Sequence, residues 1–164
     1  MLLLLSSLPG RPSLARKLRP VESIEITPIG AVSNGEDDST RVDWSAVESV
    51  ITLDGLGDAL LGLDGYSHVI VVGWLDQIPE QLRSRRQSYP AGDESLPLQG
   101  ALALRGPRPN PFSVTVCALL AVEGDALRVR GLDLVDGTPV LDVKPYVAFY
   151  DAQPEATIPG WAGG

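Results

Sequence analysis

Apolar positions in this chain fall in short runs, each closed by turn-forming residues instead of continuing as a long helical repeat. Residues 23–32 are rich in Ile and Val but carry Pro28 and Gly30, which predicts an irregular or edge strand. A polar stretch over 33–40 follows, with an Asn34-Gly35 turn signal. Residues 47–53 read as a second strand. Leu56, Leu60, Leu61 and Leu63 give 54–63 the spacing of a short amphipathic helix, ended by Asp64-Gly65. The continuous β-branched run at 68–75 predicts a strand buried on both faces. Residues 78–84 suit a short helix, 89–97 a loop and 99–105 a strand. Residues 112–122 and 126–134 flank Glu123-Gly124-Asp125 and read as a hairpin. A turn at Asp136-Gly137-Thr138-Pro139 leads into a last strand at 140–143.

Many strands at short intervals, with only brief helices, predict a mainly β barrel or sandwich. The alternating strand and helix pattern of a doubly wound sheet is missing, and no internal repeat is visible. A length of 164 residues fits one domain, and 44% hydrophobic against 21% charged residues marks a globular chain. We assign the domain to 22–151. Residues 1–21 are predicted to be a flexible N-terminal extension, whose apolar start at 1–5 is too short to span a bilayer. Residues 152–164, rich in Pro and Gly, are predicted to fray as a C-terminal tail.

Cys117 is the only cysteine, so no intrachain disulfide forms, and a reducing cytoplasm is the expected compartment. With His68 as the only histidine, no protein-ligated transition metal is expected. The net charge of −8 opposes non-specific nucleic-acid binding. It leaves room for a local basic patch, and the arginines do gather: Arg83, Arg85 and Arg86 in one group, Arg105 and Arg108 in another. There is no P-loop, HExxH or GxSxG motif. Gly55 and Gly57 begin a GxGxxG pattern that Leu60 breaks.

Two segments carry candidate chemistry. In Arg105-Gly106-Pro107-Arg108-Pro109-Asn110-Pro111, three prolines stiffen a loop that bears two arginines and an asparagine. Such a loop suits recognition of a carboxylate or phosphate, and equally suits a rigid crossover with solvated arginines. In the segment 131–146, Asp133, Asp142 and Lys144 lie on or beside apolar strands, and the period of two allows Asp142 and Lys144 to share a face. These charges either line a cleft or are the solvated side of an ordinary hairpin.

RPNP, followed by a hairpin and then RVRGLDLVDGTPVLDVKPY, closely resembles the TsaA-like family, which includes the TrmO tRNA methyltransferases. Pro28-Ile29-Gly30 resembles its opening PIG, and 63–68 resembles its LEGFSH. The resemblance spans about 24–151 and is densest over 105–146. It departs at Pro107, which meets Arg108 directly, and at 112–115, where FSVT replaces IGLS.

The resemblance implies a small β-barrel outside the Rossmann methyltransferases, a homodimer, and S-adenosylmethionine as methyl donor. It implies N6-methylation of threonylcarbamoyladenosine at position 37 of tRNA. By motif, Ser67, His68, Arg105, Arg108, Asn110, Val114, Asp136, Gly137, Thr138 and Pro139 would bind the cofactor. Asp142, Lys144 and Tyr146, in the LDxKPY strand, would act on the acceptor. A small-molecule acceptor, or a donor-binding module without transfer activity, are the alternative functions.

Overall fold

The computed structural model describes residues 23–39 and 42–162; the N-terminal extension assigned to 1–21 lies outside them. The strands are β1 (Gly30–Ser33), β2 (Glu48–Leu53), β3 (His68–Trp74), β4 (Gln87–Ser88), β5 (Gln99–Gly100), β6 (Phe112–Glu123), β7 (Ala126–Arg130) and β8 (Pro139–Pro145). Six of them close a barrel in the order β1-β2-β7-β6-β3-β8, antiparallel throughout; β4 and β5 form a separate two-stranded ribbon. The β-barrel expectation therefore holds.

Alternation builds the barrel. In β2, Ser49, Ile51 and Leu53 point inward and Glu48, Val50 and Thr52 outward. Val32, Ile51, Val69, Val71, Cys117, Leu127, Val129 and Val140 fill the interior, and Leu132 and Leu134, beyond β7, are buried in the same core. Burial at these positions drives closure, since each buried Val or Leu side chain contributes ~1.5–3 kcal/mol. The seam is at β1, where Gly30 lies opposite both Leu53 and Val140. A Cβ at Gly30 would strike the carbonyl oxygen of Thr52, so only glycine allows the approach.

Three expectations change. Residues 54–63 form no α-helix; they make short 3-10 turns at Gly57–Leu60 and, beyond, Leu63–Gly65. Gly62 between them has φ +82°, which ends helical geometry, and Leu61 is left 94% exposed. The run at 68–75 is buried on one face only, because β3 alternates Val69, Val71 and Gly73 inward with Ile70, Val72 and Trp74 half-buried outside. The predicted strand at 99–105 shrinks to the two residues of β5, followed by a 3-10 turn at Ala101–Ala103. The segment from β3 to β6 is thus an excursion outside the barrel. It carries α1 (Glu80–Arg83) and the β4–β5 ribbon, and it ends in the proline loop. A second short helix, α2 (Ala148–Asp151), follows β8.

Candidate functional site

Strand β3 lies between β6 and β8, and its register aligns two outward rows. Val72 sits between Val114 and Asp142, and Ile70 between Val116 and Lys144. Val114 and Val116 are 52% and 48% exposed, so the barrel presents an apolar outer face there. Lys144 Nζ lies 2.7 Å from Asp142 Oδ2 at the edge of that face. The hydrogen bond and the charge of Asp142 push the Lys144 ammonium above its ordinary value, so it stays a cation. A bulge between Val72 and Gly73 skips Leu141. At the start of β3, His68 lies opposite Ala118, and its carbonyl accepts from Tyr146 N–H at 3.0 Å. The His68 and Tyr146 rings meet edge to face at 6.3 Å, and Ser67 Oγ is 2.9 Å from His68 Nδ1.

The first half of β6 lacks a neighbour on its other side, because β7 pairs only from Ala118 onward. Arg105 fills that edge: its Nη2 donates to Val114 O at 2.8 Å. Arg108 turns back on its own loop, donating to the carbonyls of Gly106 (3.2 Å) and Leu104. Its guanidinium therefore fixes the loop that carries Arg105. Asn110 contributes its carbonyl, which accepts from Phe112 N–H at 2.7 Å, while Pro111 O accepts from Leu75 N–H at 2.9 Å. The Asn110 side chain is exposed.

Between this loop and the barrel end lies a cleft of about 330 Å³, lined by Leu75, Arg105, Arg108, Phe112, Ser113, Val114 and Asp133. Asp133 shares this lining with Arg105, which favours the cleft-lining alternative for this residue over the solvated one. Its carboxylate accepts from Thr115 Oγ1, which is 3.4 Å from Ser113 Oγ. The signal for it was the alternation Leu132-Asp133-Leu134, with both leucines buried. Below it, burial and then the Asp133 charge push the Cys117 thiol up to about 12. Leu75 and Asp133 also line a second cleft of about 470 Å³, which Gly106, Pro107 and Thr138 share.

The 136–139 turn meets the proline loop across that second cleft, but its polar groups are held within the chain. Asp136 Oδ1 accepts from Asn34 N–H (2.7 Å) and Gly35 N–H (3.0 Å). These bonds, Gly35's first, hold the carboxyl below the ordinary value of 3.8. Gly137 N–H donates to Val32 O at 2.8 Å, and Gly137 adopts φ +77°. Thr138 is 1% exposed and donates from Oγ1 to Val135 O at 2.8 Å. Pro139 opens β8.

The fold thus gathers Arg105, Arg108 and Val114 with Asp133, and sets Asp142 one strand beyond Val72 on the adjoining face. It does not bring Ser67, His68 and Tyr146 into that cleft. His68 is four residues along β3 from Val72, ~13 Å away. Among the described residues, no cluster of three or more His, Cys, Asp or Glu could hold a metal ion, and no helix is long and apolar enough to cross a membrane.

Residues 40–152 match the family described as tRNA-methyltransferase O N-terminal domain. The chain belongs to this family. It is 40% identical over 105 residues to a probable S-adenosyl-L-methionine-binding protein of Archaeoglobus fulgidus, an alignment covering 63% of this chain and 27% of that one. A mouse tRNA (adenine(37)-N6)-methyltransferase is 38% identical over 99 residues, covering 57% of this chain and 22% of its own. The crystal structure of TrmO from Pseudomonas aeruginosa superposes with a TM-score of 0.65 at 30% identity, over 83% of this chain and 62% of that one. The chain therefore spans only about a quarter of those two sequence relatives and under two thirds of the solved structure.

Proposed function

We propose that this member of the tRNA-methyltransferase O family is a cytoplasmic, homodimeric, S-adenosylmethionine-dependent methyltransferase. On this reading it N6-methylates threonylcarbamoyladenosine at position 37 of tRNA. The observation that carries it is a cleft lined by both Arg105 and Asp133 beside the half-exposed β6–β3–β8 face.

That pair fits the donor's chemistry. S-adenosylmethionine carries a carboxylate, an ammonium and a sulfonium, and when bound it supplies an already activated methyl group. An arginine and a carboxylate lining one cleft match the opposite charges of such a molecule, and Leu75 and Phe112 add apolar wall. A guanidinium has five N–H donors, so Arg105 keeps its bond to Val114 O while anchoring a carboxylate. Arg108 positions the loop from behind, and Asp133 faces positive charge. Asp142, fixed by Lys144, orients the acceptor nitrogen. Because the donor is activated, positioning is the main demand on the protein.

The test is tRNA from cells lacking the gene, incubated with purified protein and labelled donor, then digested for nucleoside mass spectrometry. Appearance of N6-methyl-threonylcarbamoyladenosine is the expected result. A second reading, a small-molecule acceptor, is favoured by the net charge of −8. Label entering only the low-molecular-weight fraction of an extract would select it.

A further inference from the structure

We propose that Arg85 and Arg86 form a phosphate-contacting rim that guides an RNA strand along the outside of the barrel toward the Arg105 loop. The inference rests on the tRNA methyltransferase reading and names the surface by which that substrate is held.

Both residues are exposed and follow α1 directly. Their backbone is fixed from below: Gln87 pairs with Gly100, and Arg86 O accepts from Ala101 N–H at 2.9 Å. This holds 84–86 alongside 100–103 and leaves an open groove of about 550 Å³ between them, reaching Pro109 of the proline loop. Arg85 also lines a more enclosed cavity of about 350 Å³ whose far side is Arg105, Gly106 and Pro107. The groove and the cavity share Arg85 and Ala101, and the cavity shares Arg105 with the cleft described above.

Charge decides what the groove and the cavity take. The chain has 21 acidic and 13 basic residues, yet no carboxylate lines either the groove or the cavity. Arg83 is neutralised by Glu80 at 2.9 Å, Lys144 by Asp142 at 2.7 Å, and Arg128 lies 4.0 Å from Glu123. Arg85 and Arg86 have no such ion pair among the described residues. Two adjacent guanidiniums without counter-charge suit a ligand with repeated negative charge, and arginine matches phosphate by its planar fork. Tyr89, Leu82 and Leu104 line the cavity beyond, offering one aromatic and two apolar surfaces to an unstacked base. An RNA strand supplies both features: phosphates for the rim and a base for the cavity.

The experiment measures binding of a fluorescein-labelled anticodon stem-loop RNA by anisotropy, from low to physiological salt, for the wild-type protein and R85Q/R86Q. R128Q, on β7 and lining neither the groove nor the cavity, is the control. The double variant should bind RNA at least tenfold more weakly. Its slope of log affinity against log salt should be shallower by about 1.4, the value for two lost single-strand phosphate contacts. Donor affinity by calorimetry and melting temperature should stay at wild-type values, since neither arginine lines the donor cleft. Equal RNA affinity and equal salt slope in R85Q/R86Q would overturn the proposal, as would wild-type protein that binds donor and shows no RNA association. Methylation of tRNA at an undiminished rate by R85Q/R86Q would sink this inference alone and leave the activity standing. Salt-dependent binding lost in the double variant, with no tRNA methylated by any form, would support the rim and reject the activity.

Discussion

Arg105 donates to the carbonyl oxygen of Val114 at 2.8 Å, on the stretch of β6 that β7 does not reach. A side chain thereby takes over from a missing strand, and the same residue lines the cleft that Asp133 also lines. Because Val114 is half exposed, water can satisfy its carbonyl once the arginine is removed. Arg105→Ala should therefore leave the melting temperature nearly unchanged. It should weaken S-adenosylmethionine binding at least tenfold, the usual cost of a charged hydrogen bond. Arg105→Lys keeps a point charge without the fork and should recover only part of the affinity. Isothermal titration calorimetry on the three proteins checks this; equal affinities would remove Arg105 from the donor site.

Asp136 makes a different case, because its bonds run within the chain to Asn34 and Gly35. Its carboxyl is held below 3.8 in the folded state. A depressed carboxylate contributes stability that is present above the unfolded value and lost as pH falls through the folded one. Melting temperature should accordingly fall below about pH 4, and Asp136→Asn should lower it at neutral pH while flattening that acid decline. Thermal melts of both proteins between pH 2.5 and 7 would decide the point. Parallel curves would mean that Asp136 contributes nothing to the acid limb.

The strands that survive from sequence to structure are those whose alternation or turn residues are local. β2 alternates residue by residue, and the β6–β7 hairpin is marked by Gly124, which takes φ +61°. The helix expected at 54–63 fails because leucine spacing was counted without the glycines at 55, 57 and 62, which the chain uses to turn. The strand expected at 99–105 fails because an apolar run needs a partner, and only Gln99 and Gly100 find one, in β4. For the candidate site, the stiffness of the proline loop was legible from composition. The row Val114, Val72 and Asp142 was not, since it depends on the register of three strands far apart in the chain. Nor could the sequence reveal that Asp133 and Arg105 line one cleft, or that Asp136 serves the loop at 34–36 while Gly137 bonds Val32 and Thr138 bonds Val135.

Cys117 is buried, and its thiol is pushed up to about 12 by burial and by Asp133. Thiol reagents attack the thiolate, so the native protein should be unreactive toward Ellman's reagent at pH 8 and should release one equivalent in denaturant. The linkage runs opposite to that of Asp136. The unfolded thiol ionises near 9.0 while the folded one stays protonated, so stability should fall as pH rises above about 9. Cys117→Ala should remove that part of the alkaline decline. Prompt labelling of the native protein at pH 8 would contradict the burial argument.

Barrel closure depends on Gly30. Its position opposite both Leu53 and Val140 brings it against the Thr52 carbonyl, leaving no room for a Cβ. Gly30→Ala must push β1 outward and loosen the seam, with a cost of about 1–3 kcal/mol in line with other overpacked sites. Urea denaturation should register a lower midpoint with an unchanged slope. Hydrogen exchange should quicken first in β1 and in the part of β8 it pairs with. A wild-type midpoint would show that the seam flexes more freely than its register implies.

Asp142 and Lys144 share the outer face of β8, 2.7 Å apart and both substantially exposed. Exposed pairs of this kind contribute little to stability, so their removal should not move the melting curve appreciably. A catalytic role would appear elsewhere. Asp142→Asn preserves shape and removes the charge; it should lower kcat about 100-fold, the lower end for a lost positioning or proton-accepting group, with donor affinity unchanged. Lys144→Met should act in the same direction but less, since Asp142 keeps its charge and loses only its fixed orientation. Lys144 is a cation at every working pH, because its ammonium is pushed above 10.5. Activity should then show no loss attributable to Lys144 between pH 6 and 9. If Asp142→Asn methylated tRNA at the wild-type rate, the ion pair would be ordinary surface charge, and the group that orients the acceptor would have to be sought around Asp133.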